Sequence, residues 1–197
     1  MPAGARRWSC ALVVALAGCA TDEQIRGALT DVNQEFRTQY EQILAEKGTR
    51  FYKVRRQEAF NALRASLTRL AMRIGDQSQE IGYLNVYAPA PTPLSAAEWQ
   101  EAAQRDLPKL REIAMQHVGI LGRFAQFEPE GLDIVINATA IEVRGGTEVS
   151  LTMRMREVKP ARSGMPRRDY APPSAVRTGL DKIWREVDRV LAGAGPP

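Results

Sequence analysis

The chain's strongest nucleophile is a cysteine thiol, and there are two cysteines, Cys10 and Cys19. The thiolate is the reactive form of that side chain. Cys19 has small neighbours, Ala17 and Gly18 before it and Ala20 after it, so the backbone there can enter the groove of a processing enzyme. The chemistry open to such a residue is nucleophilic attack by its sulfur. Cys10 lies inside an apolar run and is expected to be lost with it, which leaves one cysteine and no possible intramolecular disulfide. The only histidine is His117, so no HExxH helix or histidine-rich metal site can be built, and no CxxC pair is present. GxSxG, P-loop and GxGxxG patterns are absent as well. Carboxylates at Glu98 and Glu101, and at Asp181, Glu186 and Asp188, have the spacing of solvated helix faces, whereas a glycosidase-like pair needs partial burial and a raised pKa. No catalytic residue, metal or diffusible cofactor is assigned, and the chain is not expected to be an enzyme. An Asn-Ala-Thr triplet at Asn137 falls in a predicted strand and reads as chance. Arg162, Arg167 and Arg168 form the one exposed charge cluster expected to meet an anion, such as a lipid headgroup phosphate, or an acidic partner.

The residues ahead of Cys19 have three parts: adjacent charges at Arg6 and Arg7, an apolar stretch from Trp8 to Ala17, then Gly18 and Cys19. That is the layout of a secretory signal. Ten or so apolar residues are roughly half of what a membrane-spanning helix requires. Leu16, Ala17, Gly18 and Cys19 resemble the lipobox of bacterial lipoproteins. The resemblance implies cleavage between Gly18 and Cys19 and lipid on the Cys19 sulfur. Several acyl chains on one residue hold a protein on a bilayer far more firmly than one chain does. In the same family, Asp directly after the cysteine retains the protein in the inner membrane. Here that place holds Ala20, which implies the outer membrane with the domain facing the periplasm.

Loss of the leader takes Arg6 and Arg7 with it, so 27 basic residues fall to 25 against 23 acidic ones and the formal charge drops from +4 to +2. That near balance lacks the clustered basic face of a nucleic-acid-binding protein. About 180 residues remain, enough for one core, and no later run approaches the length of a spanning helix. The chain therefore divides into a signal at 1–18, a lipidated terminus and amphipathic helix at 19–48, and a domain at 49–193.

From Asp22 to Lys47, Ile25, Leu29, Val32, Phe36, Tyr40 and Ile43 recur at helical spacing, and Gly48 ends the run. Arg50 to Val54 reads as a strand and Gln57 to Ala71 as a helix. Met72 to Asp76 and Ile81 to Ala88 read as strands around a polar turn at Gln77 to Glu80. Pro89, Pro91 and Pro93 make a stiff connector. Ser95 and Glu98 form a capping box for a helix toward His117, which Pro108 must either kink or break near Asp106. The stretch from Val118 to Glu130 has no clear period, and Leu121, Phe124 and Phe127 are expected to be partly buried there. Leu132 to Val143 and Thr147 to Val158 flank Gly145-Gly146 and predict a hairpin. With Arg144 opposite Thr147, Ala138 would face Met153 and Ile136 would face Met155. Ser174 to Ala192 closes the chain as an amphipathic helix.

These elements predict an α+β, two-layer sandwich: an antiparallel sheet with amphipathic helices on one face, preceded by a long N-terminal helix. The helix Ala59 to Leu70, followed by Met72-Arg73-Ile74 and then Gly82-Tyr83-Leu84-Asn85-Val86, resembles helix-grip or TATA-box-protein-like domains of periplasmic lipoproteins, among them a lipoprotein subunit of the outer-membrane barrel assembly machinery. Two functions are expected. One is a non-enzymatic envelope lipoprotein that is a structural or assembly partner of another envelope protein, with no nucleic acid. The other is a module binding a lipid or small apolar molecule in a pocket lined by Met153, Met155 and the Trp184 face.

Overall fold

The computed structural model describes residues 20–158, 164–168 and 171–193. Helix α1 (Asp22–Lys47) starts from a capping box in which the Thr21 hydroxyl accepts from the Gln24 amide and the Gln24 side chain accepts from the Thr21 amide. It is followed by β1 (Thr49–Tyr52), α2 (Arg56–Arg69), β2 (Arg73–Ser78) and β3 (Tyr83–Pro89). Then come α3 (Ala96–Val118), a 3-10 helix (Gly119–Phe124), β4 (Leu132–Val143), β5 (Gly146–Glu157) and α4 (Pro173–Gly193). The five strands form one antiparallel sheet in the order β1-β5-β4-β3-β2. The architecture is α+β, as the order of elements predicts.

Alternation in the long hairpin explains the layering. Leu132, Ile134, Ile136, Ala138 and Ala140 on β4, with Val149, Leu151, Met153 and Met155 on β5, are all buried on one face. Helices α2 and α4 lie on that face, because Leu63 and Leu67 of α2 and Leu180, Ile183 and Trp184 of α4 supply apolar stripes of the right spacing. Gly179 is the point of closest approach, where an added Cβ would come 2.7 Å from the Met153 sulfur. Across the sheet, Asn137 accepts from the Asn85 side chain at 2.7 Å and from the Tyr83 hydroxyl at 3.2 Å.

Two expectations need correction. The hairpin register is Ala138 opposite Leu151 and Ile136 opposite Met153, two residues from the expected pairing. The same side chains stay inward, because a shift of two preserves the face. The tip is Arg144-Gly145, where Gly145 takes a φ of 88°. Gly146 belongs to the strand, and a side chain there would lie 2.2 Å from the Tyr52 carbonyl oxygen of β1. Close strand approach, not turn geometry, explains the second glycine.

The turn before β3 also comes later than expected. Gln77 and Ser78 remain in β2, since an edge strand facing water accepts polar residues. Gly82 supplies the turn with a φ of 71° and presses against the Ala140 carbonyl. A register shift between Ile74 and Asp76 marks a bulge at Gly75. At Pro108, where a kink and a break are both open in the sequence, the structure has one helix: α3 runs unbroken through it.

Helix α1 is part of this body. Phe36, Tyr40 and Ile43 are buried, and the Phe36 ring stacks on Phe127 at 5.6 Å. At its C-terminal end the Lys47 carbonyl accepts from the Trp184 indole at 2.7 Å, and the Gly48 carbonyl accepts from the Leu151 amide at 2.7 Å.

Candidate functional site

Cys19 and Gly18, the expected lipidation and cleavage residues, lie outside the described residues, as does Arg162. The first described residue is Ala20, two residues before α1 begins. The end of the domain built around this residue is the candidate site. His117, at the C-terminal end of α3, accepts or donates a 2.7 Å hydrogen bond with Asp31 of α1. Its ring packs so closely on Gly27 that an added Cβ would sit 2.6 Å from Nδ1. The lone histidine is thus a fastener between the first helix and the third.

The 3-10 helix then folds back over the end of α3. Gly122 makes this possible: a Cβ there would lie 2.3 Å from the Met115 amide nitrogen. The Arg111 guanidinium donates to the Ala125 carbonyl at 3.3 Å. This arrangement leaves Ile120 70 % and Phe124 76 % exposed, the two most exposed large apolar side chains among the described residues, with Ile25 and Met115 also exposed nearby. The stretch without a helical or strand period therefore carries the most unusual surface of the molecule. Leu121 and Phe127 are partly buried as expected, but Phe124 is not: the close return at Gly122 brings the 3-10 helix back onto α3 and leaves the Phe124 ring in solvent.

Beneath that end lies a small apolar cavity of about 100 Å³, lined by Leu29 and Val32 of α1, Trp99 and Leu110 of α3, Phe127 and Met155 among others. Trp99 is buried, and its indole nitrogen has no hydrogen-bond partner among the described residues. The pocket expected at Met153, Met155 and Trp184 is different: Met153 and Trp184 are fully buried in the packed core. Met155 alone of the three lines the cavity, and Gly179 brings α4 down onto Met153.

The two described arginines of the predicted cluster separate. The Arg168 guanidinium donates to the Glu157 carboxylate at 2.8 Å and to the Glu128 carbonyl at 3.3 Å, so it braces the loop against β5. Arg167 is exposed, while its carbonyl accepts from Asn33 of α1 at 2.9 Å.

The carboxylates expected on solvated faces are mostly used in ties between elements. Glu98 meets Lys182 of α4 at 2.6 Å and caps α3 at Ser95; the Lys182 hydrogen bond is the main reason its pKa is held below the ordinary 4.5. Asp181 pairs with Lys47 at 2.6 Å, and Asp188 takes the Arg50 guanidinium and the Tyr52 hydroxyl. Glu186 is buried and pairs with Arg189 and Arg69. Glu101 pairs along its own helix with Arg105. Asp106 accepts from the Ser174 amide at 2.8 Å and its hydroxyl at 2.7 Å, capping α4, and burial raises its pKa. A polar cleft of about 390 Å³ opens beside this cap, between Gln39, Gln42 and Arg177. Among the described residues no group of three or more His, Cys, Asp or Glu is placed to hold a metal ion, and no helix is long and apolar enough to cross a membrane.

Compared with protein-family models, with curated proteins and with solved structures, the chain finds no match.

Proposed function

We propose that the protein is a bacterial envelope lipoprotein, tethered through lipid on Cys19 to the periplasmic face of the outer membrane, where it is a non-enzymatic structural or assembly partner of another envelope protein. The observation that carries this reading is the run Leu16-Ala17-Gly18-Cys19 behind a basic start and a short apolar stretch. The start of the folded body adds support. Only Ala20 and Thr21 separate Cys19 from the first residue of a capped helix, so that body would begin within about 10 Å of the lipid. Ala20 is the basis for the outer membrane. Mass spectrometry of protein purified from membranes tests the anchor: an N-terminal peptide beginning at Cys19 and carrying acyl mass is expected, and Cys19→Ser should abolish it. A mature terminus elsewhere, or a free Cys19 thiol, would remove the proposal. Crosslinking in intact envelopes tests the partner, with one reproducible envelope protein expected and none recovered counting against it.

The cavity under α1 favours a second reading, binding of a small apolar group. An unpaired buried indole N–H is costly, and a carbonyl or carboxylate ligand would satisfy it. At about 100 Å³ the space is smaller than the roughly 150 Å³ void that admits benzene, so the end of an acyl chain fits better than a whole one. A brominated alkanoic acid should quench Trp99 fluorescence, and Trp99→Phe, which retains Trp184, should lose that quenching. Equal quenching in both proteins would dismiss the cavity as the binding place.

A further inference from the structure

We propose that the end of the domain carrying Ile25, Met115, Ile120 and Phe124 rests on the lipid bilayer itself, with Ile120 and Phe124 entering the headgroup layer. This inference rests on the lipid-anchor reading and adds to it a defined orientation of the folded body.

Three observations converge. The first is distance: Cys19 stands three residues before Asp22, a reach of about 10 Å at full extension, so an acylated Cys19 cannot hold the start of α1 far from the membrane. The second is placement. His117 touches Gly27 and Asp31, in the first turns of α1, and the 3-10 helix begins two residues after His117. Ile120 is therefore at the same end of the molecule as the tether. The third is exposure, since large apolar side chains that are about three-quarters uncovered mark a surface meant to meet something apolar. Aromatic and aliphatic side chains inserted at the headgroup boundary are a common means of peripheral attachment.

Among the other exposed apolar side chains, which include Ile81 at 67 % and Val158 at 60 %, Phe51 and Ile141 stand on either side of Glu148 near the hairpin tip. That place lies beyond the C-terminal end of α1, which is roughly 40 Å from its start. It is thus separated from the tether by the length of α1, and serves as the comparison position for an orientation in which the tethered end meets the bilayer. Charge around Ile120 is mixed, with Arg26 and Arg123 exposed beside Asp22 and Glu23 in the first turn of α1. The contact is thus chiefly apolar, and moderate salt should not release it.

The test uses the acylated protein reconstituted in vesicles of phosphatidylethanolamine and phosphatidylglycerol. With Cys10 removed in processing and Cys19 acylated, Ile120→Cys and Ile141→Cys each provide a single thiol for a polarity-sensitive nitrobenzoxadiazole label. The label at position 120 should shift to the blue and lose most of its emission to spin-labelled lipid, in low and in raised salt, while that at 141 keeps its aqueous spectrum. An anchored protein whose two labels behave alike overturns the orientation and leaves the anchor standing. A shift at 120 that requires added envelope proteins would assign the surface to a protein partner and overturn the bilayer. Absence of acyl mass on Cys19 overturns the anchor, and the orientation with it.

Discussion

Ala71 holds a backbone conformation that its side chain disfavours. It closes α2 with a φ of 61°, while its amide donates to Thr68 and the Met72 amide donates to Leu67. Those are the two hydrogen bonds of a Schellman ending, and buried Met72 and Leu67 supply its apolar contact. Because a left-handed conformation costs a non-glycine residue on the order of 1 kcal/mol, Ala71→Gly should raise the urea midpoint by a comparable free energy, with unchanged circular dichroism. A drop in the midpoint would mean that the exposed Ala71 methyl contributes more than the strain costs. Tyr52 offers a test in pH. Burial first, and then the hydrogen bond to Asp188, raise its phenol well above the ordinary 10.0. The native state therefore holds that proton more tightly than the unfolded chain. The associated stability is fully present below pH 10 and is lost as pH rises beyond it. Tyr52→Phe should flatten the decline in thermal midpoint above pH 10, and parallel declines in both proteins would refute the assignment.

At the scale of elements, α1 is the informative case. Its stripe, read from spacing alone, predicted a helix ending at Gly48, and the structure has that helix. What spacing could not say was whether the stripe met its own domain, since an apolar face specifies burial without naming the partner. Phe36 answers through Phe127, a residue in the one stretch without period. Phe36→Ala should cost about 3–5 kcal/mol in urea unfolding; a loss under 1 kcal/mol would mean that the helix is only loosely seated. The hairpin shows a different limit. Alternation identified which residues of β4 and β5 point inward, because that depends only on parity. The absolute register depended on which glycine sits at the tip, and that was decided by β1, whose approach to Gly146 is not visible along the hairpin's own sequence. The candidate site was least legible, because exposure of Ile120 and Phe124 results from a 3-10 segment folding back on α3 and has no periodic signature. The carboxylates on α3 and α4 look like solvent-facing charges in one dimension and become ties between helices in three.

For the whole molecule, the joining of α1 to sheet and core through Trp184, Leu151 and His117 makes one cooperative unit of helix and domain. Amide hydrogen exchange should accordingly report the buried half of α1, around Tyr40 and Ile43, opening together with the central strand β4 at the global unfolding free energy. Markedly faster exchange in that half of α1 would show it detaching first. A body so joined passes any restraint at its first residue directly to its interior.

The borders of the sheet have a separate consequence. On one side β1 has only four residues, and on the other β2 is exposed and bent by the irregularity at Gly75. Neither presents a long straight row of vacant amides and carbonyls to a neighbour. If the proposed anchor crowds copies together in two dimensions, they would collide often, yet have no template along which to zip into a continuous ribbon.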